Sequence, residues 1–376
     1  MPRPARPKPC PPPQLNESGL PGSGLNAIDA LFEGAGLVRN RRETPAGITR
    51  ALRQQRLERV EAEELRQLAP APRIAANGVP LLTIQGWEKR GWLWHGFSTR
   101  LGGLSRAYLG AADIGSEDTG AVETKGELNL GFTPADERDM VVRNRRLFVE
   151  AVSRDAETPL VTLRQIHSNG VHYAARWDAG RELPQRGDGL MTDEPGLLLA
   201  VQTADCIPVL VADRKKKAVA AFHAGWRGTV KRIVESGIGR MRAEFGSKPE
   251  DLIAAIGPGV GACCYAVGDE VQVEFESQFA YARELFREVY DSDPVRKKYP
   301  MLFLTQRAPG HSPIGPELHL DLVEANRRQL LDAGLKAGAI QTIGGCTSCQ
   351  TELFFSHRAS QGHAGRMMSA IGIWAR

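Results

Sequence analysis

The sequence predicts an α+β fold in which mixed β-sheets are flanked by helices, and three observations carry this. Apolar segments of strand length outnumber helical patterns, the two kinds are not evenly interleaved, and the longest apolar stretch, Leu197 to Phe222, is nearly continuous strand material. A doubly wound sheet would need the regular alternation that is missing here. At about 150 residues per domain, 376 residues make two domains or one large one.

The N-terminal segment comes first. Seven of residues 2–13 are proline, and Asn16 to Gly24 add turn-forming residues, a composition that buries too little apolar surface to order itself. Leu52, Leu57, Val60, Leu65 and Leu68 lie at loosely helical spacing within residues 48–68, which predicts one amphipathic helix before the linker Ala69 to Arg73. Residues 1–75 are therefore expected to be a disordered or weakly ordered Pro/Arg-rich extension, and residues 76–376 the folded body.

That body opens near Val79, with Pro80 to Ile84 and Trp92 to Phe97 as strands bounded by Gly-containing turns. An acidic, Gly-containing loop is expected over 109–127. Asp139 to Ser153, with Val142, Leu147, Val149 and Val152 supplying apolar positions, is a helix, and Leu160 to Ile166 is a strand ending at His167. The run Leu197 to Phe222 breaks at Thr203 to Cys206 and at Asp213 to Lys217, and reads as two buried strands around a tight charged turn. Lys231 to Phe245, Glu270 to Tyr290 and Asp321 to Ala333 carry helical patterns, while Leu252 to Ile256 and Ile340 to Ile343 are short strands.

Composition removes several function classes. Hydrophobic residues make 42% and charged residues 24% of the chain, and no run reaches the roughly 18 apolar residues of a membrane span, so a transmembrane protein is excluded. The net charge is +4, but residues 1–75 hold 12 of the 48 basic and 8 of the 44 acidic side chains, leaving 36 of each beyond them. A neutral body argues against a broad nucleic-acid footprint, while a local basic pocket remains compatible with it. Six cysteines at irregular spacing do not suggest a disulfide framework. The basic start Met-Pro-Arg-Pro is not followed by the apolar stretch of a secretory signal. A reducing, cytoplasmic setting is the expectation.

The hairpin within Leu197 to Phe222 suggests chemistry. If its turn is centred between Arg214 and Lys215, Cys206 lies directly opposite His223, with Cβ atoms about 4.5–5.5 Å apart on one face. Pro208 cannot donate to a ladder and hints at an edge or bulge beside the cysteine. His167, at the end of the preceding strand, is a third candidate ligand. Two His and one Cys leave a tetrahedral position for water, as in catalytic zinc sites. Alternatively, His223 caps a strand end and Cys206 is a small buried hydrophobe. A Cys–His nucleophile pair is a third option. Asp205 could orient a ligand or accept a proton, and Arg227, in His223-Ala224-Gly225-Trp226-Arg227-Gly228, could bind phosphate bidentately; a surface ion pair is the plainer alternative. The loop Gly257 to Tyr265 follows a strand and could cradle an anion on its backbone N–H groups, yet it lacks the Gly-Lys-Ser/Thr ending of a Walker loop. Phe97 to Gly103 is a second tight turn and displays Arg100. Cys346-Thr347-Ser348-Cys349 reads as structural, because no partner pair follows it at zinc-finger spacing.

Gln165-Ile166-His167, Asp188-Gly189-Leu190-Met191-Thr192-Asp193, Thr203 to Pro208, His223 to Gly228 and Gly257 to Tyr265 together resemble the YfiH-like family. This family is also described as the laccase-domain or multicopper polyphenol oxidase family, and its members as purine nucleoside phosphorylases. Phe97-Ser98-Thr99-Arg100 with Gly102-Gly103, Leu128-Asn129-Leu130-Gly131, Asn144-Arg145, Cys346-Thr347, Phe354-Phe355-Ser356 and Gly365-Arg366 extend the likeness over about residues 80–376. Residues 1–75 have no counterpart in it.

The resemblance implies a single catalytic domain with a sandwich-like core of mixed sheets and helices outside. It also implies a metal site made by His167, Cys206 and His223, the triplet that the hairpin selects. The implied enzyme is zinc-dependent and cleaves the N-glycosidic bond of adenosine, inosine, guanosine and methylthioadenosine with phosphate as co-substrate; it also deaminates adenosine. Asp205 and Arg227 join the triplet as catalytic candidates, and Arg100, Asn129 and Gln165 are binding candidates, with Arg100 and Arg227 placed for phosphate. The expected partners are small purine nucleosides and phosphate, with no nucleic acid, no membrane, and a monomer or weak oligomer. Copper-dependent phenol oxidation is the alternative, although a multicopper centre needs far more histidines than the two of the eight present that fall in these motifs. The chain departs from the family pattern at an acidic insertion, 112–127, at the long segment 276–316, and at Cys349.

Overall fold

A computed structural model of the chain describes residues 71–109, 126–181, 185–289 and 317–375. The proline-rich leader, the helix expected at 48–68 and residues 112–125 of the acidic insertion expected at 112–127 lie outside the described residues. The chain begins with β1 (Arg73–Ile74), β2 (Pro80–Leu82) and β3 (Leu93–Ser98), then β4 (Leu101–Gly103) and β5 (Gly126–Glu127). Helix α1 (Arg138–Ser153) leads to β6 (Leu160–Val161), β7 (Val171–Tyr173) and β8 (Gly189–Thr192). Next come β9 (Leu197–Thr203), β10 (Ile207–Asp213), β11 (Val219–Ala224), α2 (Trp226–Val230) and α3 (Ile233–Phe245). The remaining elements are β12 (Leu252–Ile256), β13 (Ala266–Val267), α4 (Asp269–Gln278), β14 (Phe286–Val289), β15 (Glu317–Leu320), α5 (Leu322–Asp332), β16 (Ile340–Thr342) and β17 (Met367–Ile373). Among the described residues no helix is long and apolar enough to cross a membrane.

Two six-stranded mixed sheets form the centre, in the orders β1-β2-β3-β17-β9-β6 and β16-β12-β10-β11-β8-β7. The first sheet takes in Arg73 and Ile74, just ahead of the boundary expected at residue 76. Alternate residues of each strand go to opposite sides, as the period of two requires. Leu197, Leu199 and Val201 of β9 face Leu210, Ala212, Val219 and Ala221 of the other sheet in one shared core. Leu198 and Ala200 instead pack with Phe148 and Val149 of α1. On the far side of the second sheet, Val209, Val211, Ala220 and Phe222 meet Ile233 and Ile238 of α3, Phe275 of α4 and Leu330 of α5. The result is helix, sheet, sheet, helices. Both faces of the central strands are buried, which is why Leu197 to Phe222 shows no polar alternation.

The expected helix over Glu270 to Tyr290 is shorter: α4 stops at Gln278 with Phe279 extended, and Phe286–Val289 pairs antiparallel with β15 instead. The strand expected over Leu160 to Ile166 pairs with β9 only at Leu160 and Val161, and Arg164 then bridges Arg186 in the direction of the second sheet. The apolar run holds three strands, because its break at Thr203 to Cys206 is a change of sheet.

The charged turn is also longer than expected. Asp213 N–H donates to the Ala218 carbonyl at 2.8 Å, and the Asp213 carboxylate accepts the N–H groups of Lys215 and Lys216 at 2.8 and 2.9 Å. This self-capped loop centres the turn between Lys215 and Lys216, so His223 is opposite Pro208 rather than Cys206. The correction is a slip of two residues along one strand. Side chains alternate with a period of two, so such a slip keeps Cys206 and His223 on the same face as diagonal neighbours.

Candidate metal centre

The site forms where the chain crosses between sheets. β9 ends at Thr203, β10 begins at Ile207, and Ala204-Asp205-Cys206 make the corner. Asp205 holds a positive φ of 92°, a conformation that non-glycine residues seldom adopt without external support. Three hydrogen bonds supply it: the Thr347 hydroxyl donates to Oδ1 at 2.6 Å, the Arg358 N–H to Oδ2 at 2.6 Å, and the Val260 N–H to the Asp205 carbonyl at 2.8 Å. Asp205 therefore shapes the corner that presents Cys206.

Donor atoms of His167, Cys206 and His223 all lie within 4.8 Å of one another. Cys206 Sγ is 3.9 Å from His167 Nε2, and the two imidazoles meet edge to face with centroids 5.0 Å apart. Tetrahedral ligands with metal distances of about 2.05 Å for nitrogen and 2.3 Å for sulfur are separated by roughly 3.6 Å, so small shifts would suffice. Gly225 is part of the fit. A Cβ built there would lie 2.9 Å from both Cys206 Sγ and His167 Cδ2, in the space between two of the donors. The residues present thus suit a borderline-soft divalent ion with three protein ligands.

Asp188, fully buried, organises both histidines. Its Oδ1 accepts from His223 Nδ1 at 2.9 Å and from the His167 N–H at 3.0 Å, and its Oδ2 accepts from the Ser168 N–H at 2.6 Å and hydroxyl at 2.7 Å. The first contact commits Nδ1–H of His223 to the carboxylate and leaves Nε2 for a metal, the usual arrangement of an oriented ligand histidine. The others hold His167 at its φ of 57°. Burial alone would raise the Asp188 pKa, but hydrogen bonds from His223 and Ser168 outweigh it and keep the carboxyl far below the usual carboxylate range. Burial likewise opposes charge on Cys206 and His223. Their mutual attraction prevails, so the thiol falls to about 6 and the imidazole rises to about 9.

The triplet opens onto a cleft of about 1190 Å3 whose wall includes Arg138, Arg145, Arg366, Gln165, Gln202 and His357. Gln165 donates to the Gln202 carbonyl at 2.7 Å and accepts the Gln202 N–H at 2.7 Å, which ties the His167 segment to β9. Asn129 is buried; its Oδ1 accepts the N–H groups of Arg366 and Gly131 at 2.9 and 3.1 Å, so it supports the cleft wall from behind. Arg100 pairs with Glu127 and donates to the Thr351 carbonyl at 2.6 Å, and Arg227 stacks on Trp226 at 4.3 Å. Neither lines the cleft. In the loop Gly257 to Tyr265 the N–H groups of Gly257, Val260, Gly261, Cys264 and Tyr265 donate within the protein, which takes most of its backbone donors away from an anion. The sequence shows Asp188 in the Asp-Gly pair without revealing that it holds both histidine segments, and shows Arg145 and Arg366 within motifs without revealing that they line the cleft.

The chain is similar to known proteins over most of its length. A family model described as multi-copper polyphenol oxidoreductase laccase matches residues 94–374. A protein of Geobacillus stearothermophilus named purine nucleoside phosphorylase YlmD is 34% identical over 76% of this chain and 95% of its own length. A purine nucleoside phosphorylase of Bacteroides thetaiotaomicron is 34% identical over 63% of this chain and 82% of its own. The crystal structure of YfiH, a hypothetical protein of Bacillus licheniformis, superposes with a TM-score of 0.63 and 30% identity, covering 80% of this chain and 98% of that one. With the fold, the motifs and the family model in agreement, the chain belongs to the laccase-type polyphenol oxidoreductase family that contains the YfiH and YlmD proteins.

Proposed function

We propose that the protein is a zinc-dependent purine nucleoside phosphorylase acting on adenosine, inosine, guanosine and methylthioadenosine in the cytoplasm, and that it also deaminates adenosine. The observation that carries this is a His, His, Cys donor set at the floor of an arginine-lined cleft. The relatives' names support the reaction class. In phosphorolysis a phosphate oxygen bonds to C1′ of the ribose, the C1′–N9 bond breaks, and the purine leaves with the electron pair and takes up a proton. Positive charge builds on the ribose in such a cleavage, and a bound dianion both neutralises it and attacks. Arg145 and Arg366 line the cleft and so replace Arg100 and Arg227 as the phosphate candidates. Burial lowers the Arg145 pKa to about 10, which leaves it cationic at neutral pH. Asp188 keeps His223 in one tautomer, and Gln165 fixes the segment bearing His167. A zinc ion in the donor set would supply a Lewis acid able to polarise the purine C6 position and to make water nucleophilic near neutral pH.

Two other readings make different predictions. Among the described residues a single group brings imidazoles together, two of them, too few for a multicopper oxidase centre. The Cys206 thiol near 6, beside a histidine held by Asp188, also fits a cysteine hydrolase. Zinc-loaded protein with inosine and phosphate is expected to yield hypoxanthine and ribose 1-phosphate in equal amounts, and adenosine without phosphate to yield inosine and ammonia. Metal-independent hydrolysis blocked by alkylating Cys206, or copper-dependent phenol oxidation with no nucleoside turnover, would refute the proposal.

A further inference from the structure

The second group of metal-type donors is made entirely of sulfur. Cys263 and Cys264, on the loop after β12, meet Cys346 and Cys349, on the loop after β16, with all four Sγ atoms within 4.8 Å of one another. Cys349 Sγ is 3.5 Å from that of Cys263 and 3.3 Å from that of Cys264. A tetrahedral zinc with four sulfur ligands at about 2.3 Å has sulfur–sulfur edges of roughly 3.8 Å. The cysteines therefore enclose the space of one ion rather than of a larger cluster.

The backbone around them is built for this convergence. Gly259 and Cys346 form a parallel bridge, and the Thr347 N–H donates to the Gly259 carbonyl at 3.0 Å, which docks one loop on the other. Cys349 N–H and Gln350 N–H both fold back to the Cys346 carbonyl, at 3.2 and 3.1 Å, so that Cys346 and Cys349 share one tight turn. On the other loop, Cys264 and Tyr265 N–H donate to the Gly261 carbonyl at 2.9 and 3.0 Å. The Gly261 N–H donates to Cys346 Sγ at 3.2 Å, a contact that favours a thiolate at that position. Gly261 keeps this packing tight: a Cβ would lie 3.1 Å from Cys346 Cβ and 3.2 Å from Cys263 Sγ.

We propose that Cys263, Cys264, Cys346 and Cys349 bind a second zinc ion in a closed, structural site. Each thiol gives its proton to solvent as its sulfur–zinc bond forms, and no atom changes oxidation state. The ion clamps two loops that also hold the catalytic corner, since Val260 and Thr347 both hydrogen-bond Asp205. The site stands independently of the nucleoside reading.

Cobalt substitution of the reduced full-length protein tests it, because cobalt bound by thiolates shows intense sulfur-to-metal charge-transfer absorption. Wild-type protein is expected to bind two equivalents. In a Cys10→Ser background, Cys206→Ser removes the sulfur of the first site, so a thiolate band that remains comes from the four cysteines; the band should persist at one equivalent. Cys349→Ser should lose that equivalent while Cys206 still gives a weaker band. Loss of all thiolate absorption in Cys206→Ser, or a disulfide joining Cys349 to Cys263 or Cys264 in protein prepared under reducing conditions, would each overturn the proposal. Failure of the first site alone would leave the Cys206→Ser band intact, which keeps the two readings separable.

Discussion

Two clusters of potential metal ligands lie on either side of Asp205, and they are built on opposite principles. His167, Cys206 and His223 are few, mixed in chemistry, and open to a large cleft. A buried carboxylate, Asp188, sets the tautomer of one imidazole and the backbone of the other. The four cysteines are uniform in chemistry, and the backbone of their own loops positions them. An open set serves chemistry and needs its ligands oriented by neighbours; a closed set serves stability and can be oriented by turns alone.

The largest expected effect separates these roles. His223→Ala should lower nucleoside turnover by on the order of 1000-fold or more, because Lewis-acid and orienting contributions amount to several kcal/mol. It should also remove one of two zinc equivalents in elemental analysis. Retention of both equivalents would break the distinction. Next, Asp188→Asn should weaken zinc at the open site by about 10- to 100-fold, the usual cost of losing an orienting partner, and leave the cysteine site unchanged in a competitive chelator titration.

How much of this was legible in the residues follows from the same contrast. The open triplet could be read because a hairpin brings Cys206 and His223 together over a short separation, and the parity of a strand survives a mistaken register. The cysteine cluster could not. Cys349 lies 86 residues from Cys263 and 85 from Cys264, and their meeting depends on a parallel bridge between Gly259 and Cys346 that no local pattern announces. The partners of Cys346 and Cys349 also precede them in the chain, whereas a zinc-finger pattern places the second pair after the first. Asp188 was visible as a residue but not as an organiser, because its partners are mostly backbone N–H groups, which every residue has. The sandwich was legible in its apolar strands, whereas the end of α4 was not, because Phe275, Phe279 and Phe286 bury equally well from a helix or from a strand.

Smaller effects probe the link between the two regions. With excess chelator, zinc release should be biphasic, the fast phase belonging to the three-ligand cleft site and the slow phase to the four-thiolate site; a single phase would mean that they do not differ in hold on the ion. Thr347→Val removes a hydroxyl that donates to Asp205 at 2.6 Å. A lost hydrogen bond to a charged group is worth about 1.5–3 kcal/mol, so the unfolding midpoint should drop by several degrees and zinc affinity at the open site by at most about tenfold. An unchanged midpoint would show that Asp205 does not depend on the cysteine loop.

The central claim is that His167, Cys206 and His223 hold one zinc ion. Anomalous scattering from crystals, measured on both sides of the zinc absorption edge, tests it most directly. An edge-dependent peak is expected within bonding distance of Cys206 Sγ and of one ring nitrogen of each histidine; zinc-replete crystals with no such peak among the three side chains would overturn the assignment.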